Sequence, residues 1–381
     1  MPAPLTWVEV STSALGHNLR TIEAHVGKQV TICAVIKSDA YGHGAAGCAR
    51  ALRHAGAKWF AVSSVEEGIA LRKLGIEARV LVLSGFWHGE EQEIARHQLT
   101  PAIWDRGQIE SLEKAAALTP RDRLAVHLKI NTGMNRLGAD IKDLPEIYKA
   151  IGSARHLALE GVFSHFAASE VVGQAHGDEQ IRCFGEALAL AEKMGLEVQI
   201  RHMANSAAIV ARSQSWFNMV RPGLAIYGHC LPLSAASSES VPLALPLQPA
   251  LTWKARVLQV RDVGPGQQVG YSAGHITTAE TKIALLPVGY GDGLNRRLSA
   301  RGRVIVRNAY APILGNVSMN LTAVDVTHVP GVAVGDEAIL IGKSASCRID
   351  VTEHAQLAAT IPYEILCNIS SRLPRTYVET D

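Results

Sequence analysis

From residue 12 to about 230, short runs rich in β-branched and apolar residues alternate with segments whose apolar positions recur at helical spacing. That alternation is the pattern of repeated βα units around a parallel sheet. Leu15, Leu19, Ile22 and Val26 share one face of the first helical segment, and Gly27 is placed to end it. Strands are predicted at 31–37, 59–62, 79–84, 99–103, 124–130, 159–165, 198–203 and 217–220. Eight such repeats fit a closed (β/α)8 TIM barrel better than an open doubly wound sheet. Two places depart from the pattern: Pro101 lies inside the fourth strand, and the gap at 206–213 is short for a helix.

The pattern changes at 231–249, a stretch rich in Pro and Ser without helical period, which reads as a connection between domains. Beyond it LTWKARVLQV, TKIALLPV, RVIV, LTAVDV and EAILIG are separated by Gly, Pro and Asp turns, as in a small barrel or sandwich. The expected division is an α/β barrel over 10–235 and a mostly β domain over 236–381, with the N-terminal strand 1–9 packing against the latter.

Charge adds an exclusion rather than an assignment. Lys and Arg number 37 against 35 Asp and Glu, so no long-range field draws nucleic acid or an anionic membrane. The opening residues lack a cationic start followed by an apolar core, and no stretch reaches the roughly 18 apolar residues of a spanning helix. A cytoplasmic protein is the expectation. The six cysteines lie far apart with no CxxC pair, which argues for small buried residues rather than disulfides or a metal centre. Neither HExxH nor a phosphate-binding GxxxxGK[ST] run is present, so no metal is expected.

In a barrel of this kind reactive groups sit at the C-terminal strand ends. Lys37 closes the apolar run TICAVIK there and is followed by Gly42 and Gly44, which let the backbone turn closely around a ligand. A partly desolvated lysine loses its proton more readily and forms covalent links to aldehydes. Asn205 and Ser206 fall at a strand-to-helix junction, where N–H groups and a hydroxyl favour an anion, although Ser206 taken alone reads more often as an ordinary N-cap. Arg221 ends the last predicted strand; taken alone it would pair with a carboxylate.

AVIKSDAYGHG (34–44) resembles the sequence around the cofactor lysine of the alanine racemase family. Similar matches follow in order: INTGMNRLG (130–138), SHF (164–166), HMANSAA (202–208), RPGLAIYG (221–228), VGYSAG (269–274), LPVGYGDG (286–293), GNVSMN (315–320) and IPYEILCNIS (361–370). The resemblance implies that Lys37 carries pyridoxal 5'-phosphate, with phosphate contacts from Tyr41, Tyr363 and the backbone near Gly223 and Leu224. It places Arg221 against the pyridine nitrogen, where a guanidinium donates a hydrogen bond without protonating the ring. It implies Lys37 and Tyr271 as the two proton-transfer groups, with His165 and Arg221 supporting a Tyr271 phenolate.

The same resemblance assigns the substrate carboxylate to Arg136 and the Met319 backbone amide, a carbamylated side chain to Lys129, and an entryway to Tyr290 and Asp292. The tyrosine matching Tyr363 restricts the pocket to small side chains. One departure stands out: the family commonly has aspartate where this chain has Asn320. The implied assembly is a homodimer in which Tyr271 and Met319 reach the partner's barrel. The expected activity is interconversion of L- and D-alanine, supplying D-alanine for peptidoglycan or serving alanine catabolism. A broad-specificity racemase or related decarboxylase, and a non-catalytic carrier of the cofactor, remain as alternatives; Arg221 argues against the decarboxylase and Tyr271 against the carrier.

Overall fold

The computed structural model describes residues 4–119, 123–235, 244–271 and 274–379. Residues 236–243 of the expected connection, and Ser272 and Ala273 of VGYSAG, lie outside the described residues. The chain forms two compact units, Leu15–Ser38 with Ala45–Gln248, and Met1–Ala14 with Asp39–Gly44 and Pro249–Asp381. Strands are numbered from β1 (Thr6–Ser11), which belongs to the second of these.

The first unit is an eight-stranded parallel sheet curled into a barrel. Its strands are β2 (Thr31–Val35), β3 (Trp59–Val62), β4 (Arg79–Val82), β5 (Thr100–Ile103), β6 (Leu124–Lys129), β7 (Leu157–Phe163), β9 (Ile200–His202) and β10 (Met219–Val220), in the order β10-β2-β3-β4-β5-β6-β7-β9. The seam between β9 and β10 is closed by the Asn218 amide donating to Arg201 O at 3.3 Å and the Arg221 amide donating to Ala204 O at 2.9 Å. Between β7 and β9, a two-residue strand β8 (Val171–Val172) pairs with β11 (Ser234–Ala235).

Every strand expected in the barrel is present, including the one holding Pro101. That strand pairs with β4 over only two residues, so the missing N–H costs at most one rung. The short gap at 206–213 still holds a helix, Ser206–Ala211. Several strand-to-helix loops end in a residue that caps the helix: Ser64, Asp105 and Asn205 accept from the amides of Glu67, Gln108 and Ala208. The barrel unit runs on to Gln248, beyond the expected 235, because Asn18 donates to Gln248 O at 2.8 Å and accepts from its amide at 2.7 Å.

The second unit is built on a long sheet. Its strands are β1, β12 (Leu251–Arg256), β13 (Gln259–Val263), β16 (Thr281–Leu286), β17 (Arg303–Val306), β18 (Ala309–Leu314), β19 (Thr322–Asp325), β20 (Glu337–Ser344), β21 (Cys347–Ile349) and β22 (Arg375–Val378). The order is β13-β16-β19-β18-β17-β20-β12-β1-β22, with β21 on β20. A small hairpin, β14 (Gln268–Val269) with β15 (His275–Ile276), lies beside Tyr271. The run LTWKARVLQV divides between β12 and β13, and helices Val351–Ala358 and Pro362–Asn368 complete the unit. Three cysteines, Cys33, Cys48 and Cys347, are buried as expected of small apolar residues, whereas Cys183 and Cys230 are half-buried and Cys367 is exposed.

Directly after Lys37 the backbone departs from the sequence expectation. Gly42 and Gly44 were the residues expected to bend the chain, yet Ser38, Asp39, Ala40 and Tyr41 already lie at φ of 53°, 53°, 54° and 53°, one turn of left-handed helix. Such a conformation costs about 1–2 kcal/mol per L-residue. Within the second unit the segment is held by Arg375, whose Nε and Nη2 donate to Gly42 O at 3.2 and 2.9 Å, and by the Tyr377 hydroxyl donating to Gly44 O at 3.0 Å. A Cβ on Gly42 would lie 2.2 Å from Leu366 O, so glycine is required there.

In the barrel wall, Gly161 faces the wholly buried ring of His127, and a Cβ there would stand 2.6 Å from His127 Cε1. The exposed Gly185, inside helix Ala175–Lys193, has nothing within 4 Å of its would-be Cβ. Gly161→Ala is therefore expected to lower stability by about 1–3 kcal/mol through overpacking. Gly185→Ala should raise it by roughly 0.5–1 kcal/mol through helix propensity. Urea unfolding of the two variants checks both signs.

Candidate active site

Arg221 lies one residue past β10 and is 4 % exposed. Its Nη1 donates to His202 Nδ1 at 2.7 Å, and its Nη2 to Ser164 O at 2.7 Å, Met203 O at 3.0 Å and His165 Nδ1 at 3.3 Å. Ser164 and His165 follow β7, and His202 and Met203 stand at the end of β9, so the C-terminal ends of adjacent strands converge on one guanidinium. Among the described residues no carboxylate pairs with it, contrary to the ordinary fate of a buried arginine. Burial pushes it down to about 10, which leaves it a cation at neutral pH. Its Nε–H has no acceptor among the described residues.

Lys129, the last residue of β6, is 6 % exposed; its Nζ donates to Leu83 O at 3.3 Å and sits 5.4 Å from the centre of the Phe163 ring. Burial, followed by the charges of Arg221, Arg136 and Lys37, pushes this amine down to about 7. Burial and the same surroundings, Arg221, Arg136, Lys129 and Lys37, hold the half-buried His165 well below the usual imidazole range. Since a guanidinium only donates, His165 Nδ1 is the acceptor and its proton resides on Nε2. Lys37 is half-buried two residues past β2, and Arg136 is exposed and makes no ion pair among the described residues.

Ser206 opens the helix Ser206–Ala211 and is 4 % exposed. Its Oγ accepts from the amides of Gly223 at 2.9 Å and Ala225 at 3.1 Å, so the hydroxyl proton is left to donate, and it has no acceptor among the described residues. Beside it, the buried Leu224 starts the short turn Leu224–Tyr227. Asn205 is more occupied than the sequence reading assumed: its Oδ1 caps the helix through the Ala208 amide at 3.0 Å and its Nδ2 donates to Ser169 Oγ at 2.8 Å. Lys37, Lys129, Arg136 and Arg221, an unused hydroxyl proton and an unused guanidinium N–H make a donor set for a ligand bearing phosphate and carboxylate groups and a ring nitrogen.

The remaining sequence-predicted residues belong to the second unit. Tyr41, at the end of the left-handed turn, is buried, with its ring centre 5.8 Å from that of the half-buried Tyr363. Tyr271 is 72 % exposed and Met319 57 %. Met319 O accepts from the Gly291 amide at 2.8 Å, and Ser318 O from the Tyr290 amide at 3.0 Å, which binds GNVSMN to LPVGYGDG. A Cβ on Gly289 would lie 2.1 Å from Ser318 O, so this glycine is fixed by close backbone approach. The Asp292 carboxylate accepts from the Gly289 amide at 3.0 Å and so caps its own turn, while Tyr290 is exposed.

Sequence reasoning missed the groups beneath Arg221. His127 and His202 are wholly buried, their Nδ1 and Nε2 atoms 2.9 Å apart, and His127 continues to Glu160 and Arg79. The available signals were a histidine two residues before Lys129 on the same strand face, the histidine opening HMANSAA, and a charged residue inside the run LEGVF.

The family described as alanine racemase, N-terminal domain, matches residues 10–230, and that described as alanine racemase, C-terminal domain, matches 250–377. "Alanine racemase 2" of Caldanaerobacter subterraneus subsp. tengcongensis is 38 % identical over 98 % of this chain and 95 % of its own. The alanine racemase of Sorangium cellulosum is 38 % identical over 98 % and 99 %. Among solved structures, alanine racemase from D-cycloserine producing Streptomyces lavendulae aligns with a TM-score of 0.91 at 33 % identity, covering 100 % of this chain and 98 % of that one. The alanine racemase of Bartonella henselae with covalently bound pyridoxal phosphate aligns with a TM-score of 0.85 at 29 % identity, over 99 % and 100 %. With both family regions matched and relatives alike over nearly their full lengths, the chain belongs to the alanine racemase family.

Proposed function

We propose that the protein interconverts L- and D-alanine with pyridoxal phosphate bound at Lys37. The observation that carries this reading is the cationic cluster of Lys37, Lys129, Arg136 and Arg221 around a neutral His165 at the barrel's C-terminal end. Bound there, the cofactor supplies an electron sink that acidifies the Cα–H of alanine. The Ser206 hydroxyl and the Leu224 amide, with Tyr41, Tyr363 and Asn205, would hold its phosphate, while the Gly223 amide, expected to do the same, is engaged by Ser206 Oγ and orients that hydroxyl. The Arg221 Nε–H suits the ring nitrogen, donating without giving up its proton.

Lys37 Nζ serves one face of the α-carbon. Tyr271 of a second copy serves the other, its phenolate stabilised by the Nε2–H of His165. Arg136 and the Met319 amide receive the carboxylate, Tyr363 limits the side chain to a methyl group, and Tyr290 and Asp292 line the approach. The exposure of Tyr271 and Met319 supports the dimer, as does a groove of about 330 Å³ in the same unit, lined by Val263, Val269, Ile283, Leu285 and Leu314 beside Tyr271. The lowered Lys129 amine is partly neutral at pH 7, the form that attacks CO2 to give a carbamate and a proton; that anion would orient Arg136.

In deuterated water the purified protein with pyridoxal phosphate should invert alanine, with deuterium entering Cα, and should leave serine, lysine and arginine nearly untouched by chiral chromatography. Alanine that keeps its α-proton would sink the reading. Tyr271→Phe should cost inversion about 10²–10⁴-fold while one enantiomer still exchanges its α-proton; equal loss of exchange from both enantiomers would argue against two opposed groups.

Lys37→Ala and Tyr271→Phe, each inactive alone, should regain up to about a quarter of wild-type activity when unfolded and refolded together, since only mixed dimers carry one intact site. No recovery on mixing would place both residues on one chain. For Lys129, ¹³C-bicarbonate should give a carbamate resonance in the wild type that Lys129→Arg lacks.

A further inference from the structure

An unbroken line of polar groups crosses the barrel interior. Arg79 Nη2 lies 2.5 Å from Glu160 Oε2, and the same oxygen lies 3.3 Å from His127 Nε2. His127 Nδ1 is 2.9 Å from His202 Nε2, and His202 Nδ1 is 2.7 Å from Arg221 Nη1. Arg79 is the first residue of β4 and Arg221 follows β10, so the line joins the N-terminal ends of the strands to the mouth that holds the site. Aromatic rings wall it in: Phe163 stacks on His202 at 4.9 Å between ring centres, and Trp59 lies 5.6 Å from His127.

Proton positions along the line follow from valence. The Arg221 guanidinium only donates, so His202 Nδ1 must offer a lone pair and its single proton sits on Nε2. That proton meets His127 Nδ1, which must accept, so the His127 proton sits on Nε2 and points at Glu160. Glu160 accepts from His127 on one side and Arg79 on the other. A second proton on either imidazole would set N–H against N–H. Burial keeps both rings neutral, His202 well below the usual range and His127 below it despite its carboxylate neighbour. Burial also raises the Glu160 carboxyl, but His127 and Arg79 outweigh this and hold it below the usual carboxylate range.

We propose that Glu160 is a positioning residue for Arg221: as terminal acceptor of a one-directional hydrogen-bond line, it fixes the tautomers of His127 and His202 and thereby the donor orientation of the guanidinium. Without that acceptor His127 is free to carry its proton on Nδ1. In that tautomer, now opposed by Arg221 alone, it donates to His202 Nε2 and puts the His202 proton on Nδ1 against Arg221, so the guanidinium shifts wherever that tautomer is populated. The consequence for catalysis rests on the role of Arg221 proposed above; the proton arrangement does not.

Neutron diffraction from the deuterated holoenzyme should place a deuteron on Nε2 and none on Nδ1 of both histidines; a deuteron on either Nδ1 overturns the proposal. Glu160→Leu should shift Arg221 in a crystal structure and raise transamination per turnover several-fold, with KM for alanine unchanged. Glu160→Gln, which keeps an acceptor oxygen, should retain the wild-type partition. An unmoved Arg221 and an unchanged partition in Glu160→Leu would overturn the proposal even with the deuterons as expected. Should the protein fail to racemise alanine, the functional reading falls, while the deuteron positions and the place of Arg221 in Glu160→Leu still decide the line.

Discussion

A guanidinium donates hydrogen bonds and never accepts one, and Arg221 is buried where the ends of β7, β9 and β10 meet. Everything around it must therefore be an acceptor: the carbonyls of Ser164 and Met203, and one nitrogen each of His165 and His202. Removing such an ion from water costs several kcal/mol, and hydrogen bonds to a charged group return about 1.5–3 kcal/mol each. They engage its two terminal nitrogens and leave the Nε–H over, without cancelling its charge. Burial first, and this uncancelled charge after it, drive Lys129 toward its neutral form and keep His165 from protonating. A pocket so arranged is completed by an anionic ligand and disfavours a cationic one.

The barrel was legible because each strand is a short β-branched or apolar run set off by helical periodicity, a local signal that survives even Pro101 in β5. The β-rich unit was legible in kind but less in detail: β12 and β13 form one apolar run in the sequence, and only the chain's course separates them at Val257 and Leu258. Site residues on motifs were visible one by one. Their interlocking was not, because His127 and His202 are 75 positions apart and Glu160 stands 33 from His127. A single sequence shows a histidine on a strand but not the nitrogen it faces.

The left-handed turn after Lys37 was hidden for a different reason. Ser38, Asp39, Ala40 and Tyr41 have no common intrinsic preference for positive φ, and Gly42 and Gly44 mark only its end. What holds the conformation comes from more than 300 residues away, where Arg375 and Tyr377 bond the carbonyls of Gly42 and Gly44. Strain of this kind persists where surrounding structure over-determines it, and here it lies immediately beside the lysine of the site.

The choice of arginine at 221 is consequently not a local one. A carboxylate in its place would face the carbonyl oxygens of Ser164 and Met203 and the lone pairs of two imidazoles, four acceptors turned on an anion. To accommodate it, His202 would have to move its proton to Nδ1. His127 would then have to donate back toward His202, leaving its own Nε2 lone pair against Glu160, and the carbonyls, which have no second tautomer, would remain unsatisfied in either case. The identity of residue 221, the group proposed to face the ring nitrogen of the cofactor, is thus dictated by hydrogen-bond polarity running from one end of the barrel to the other. The preference for returning an α-proton over transferring an amino group would on this view belong to the scaffold as much as to the residue.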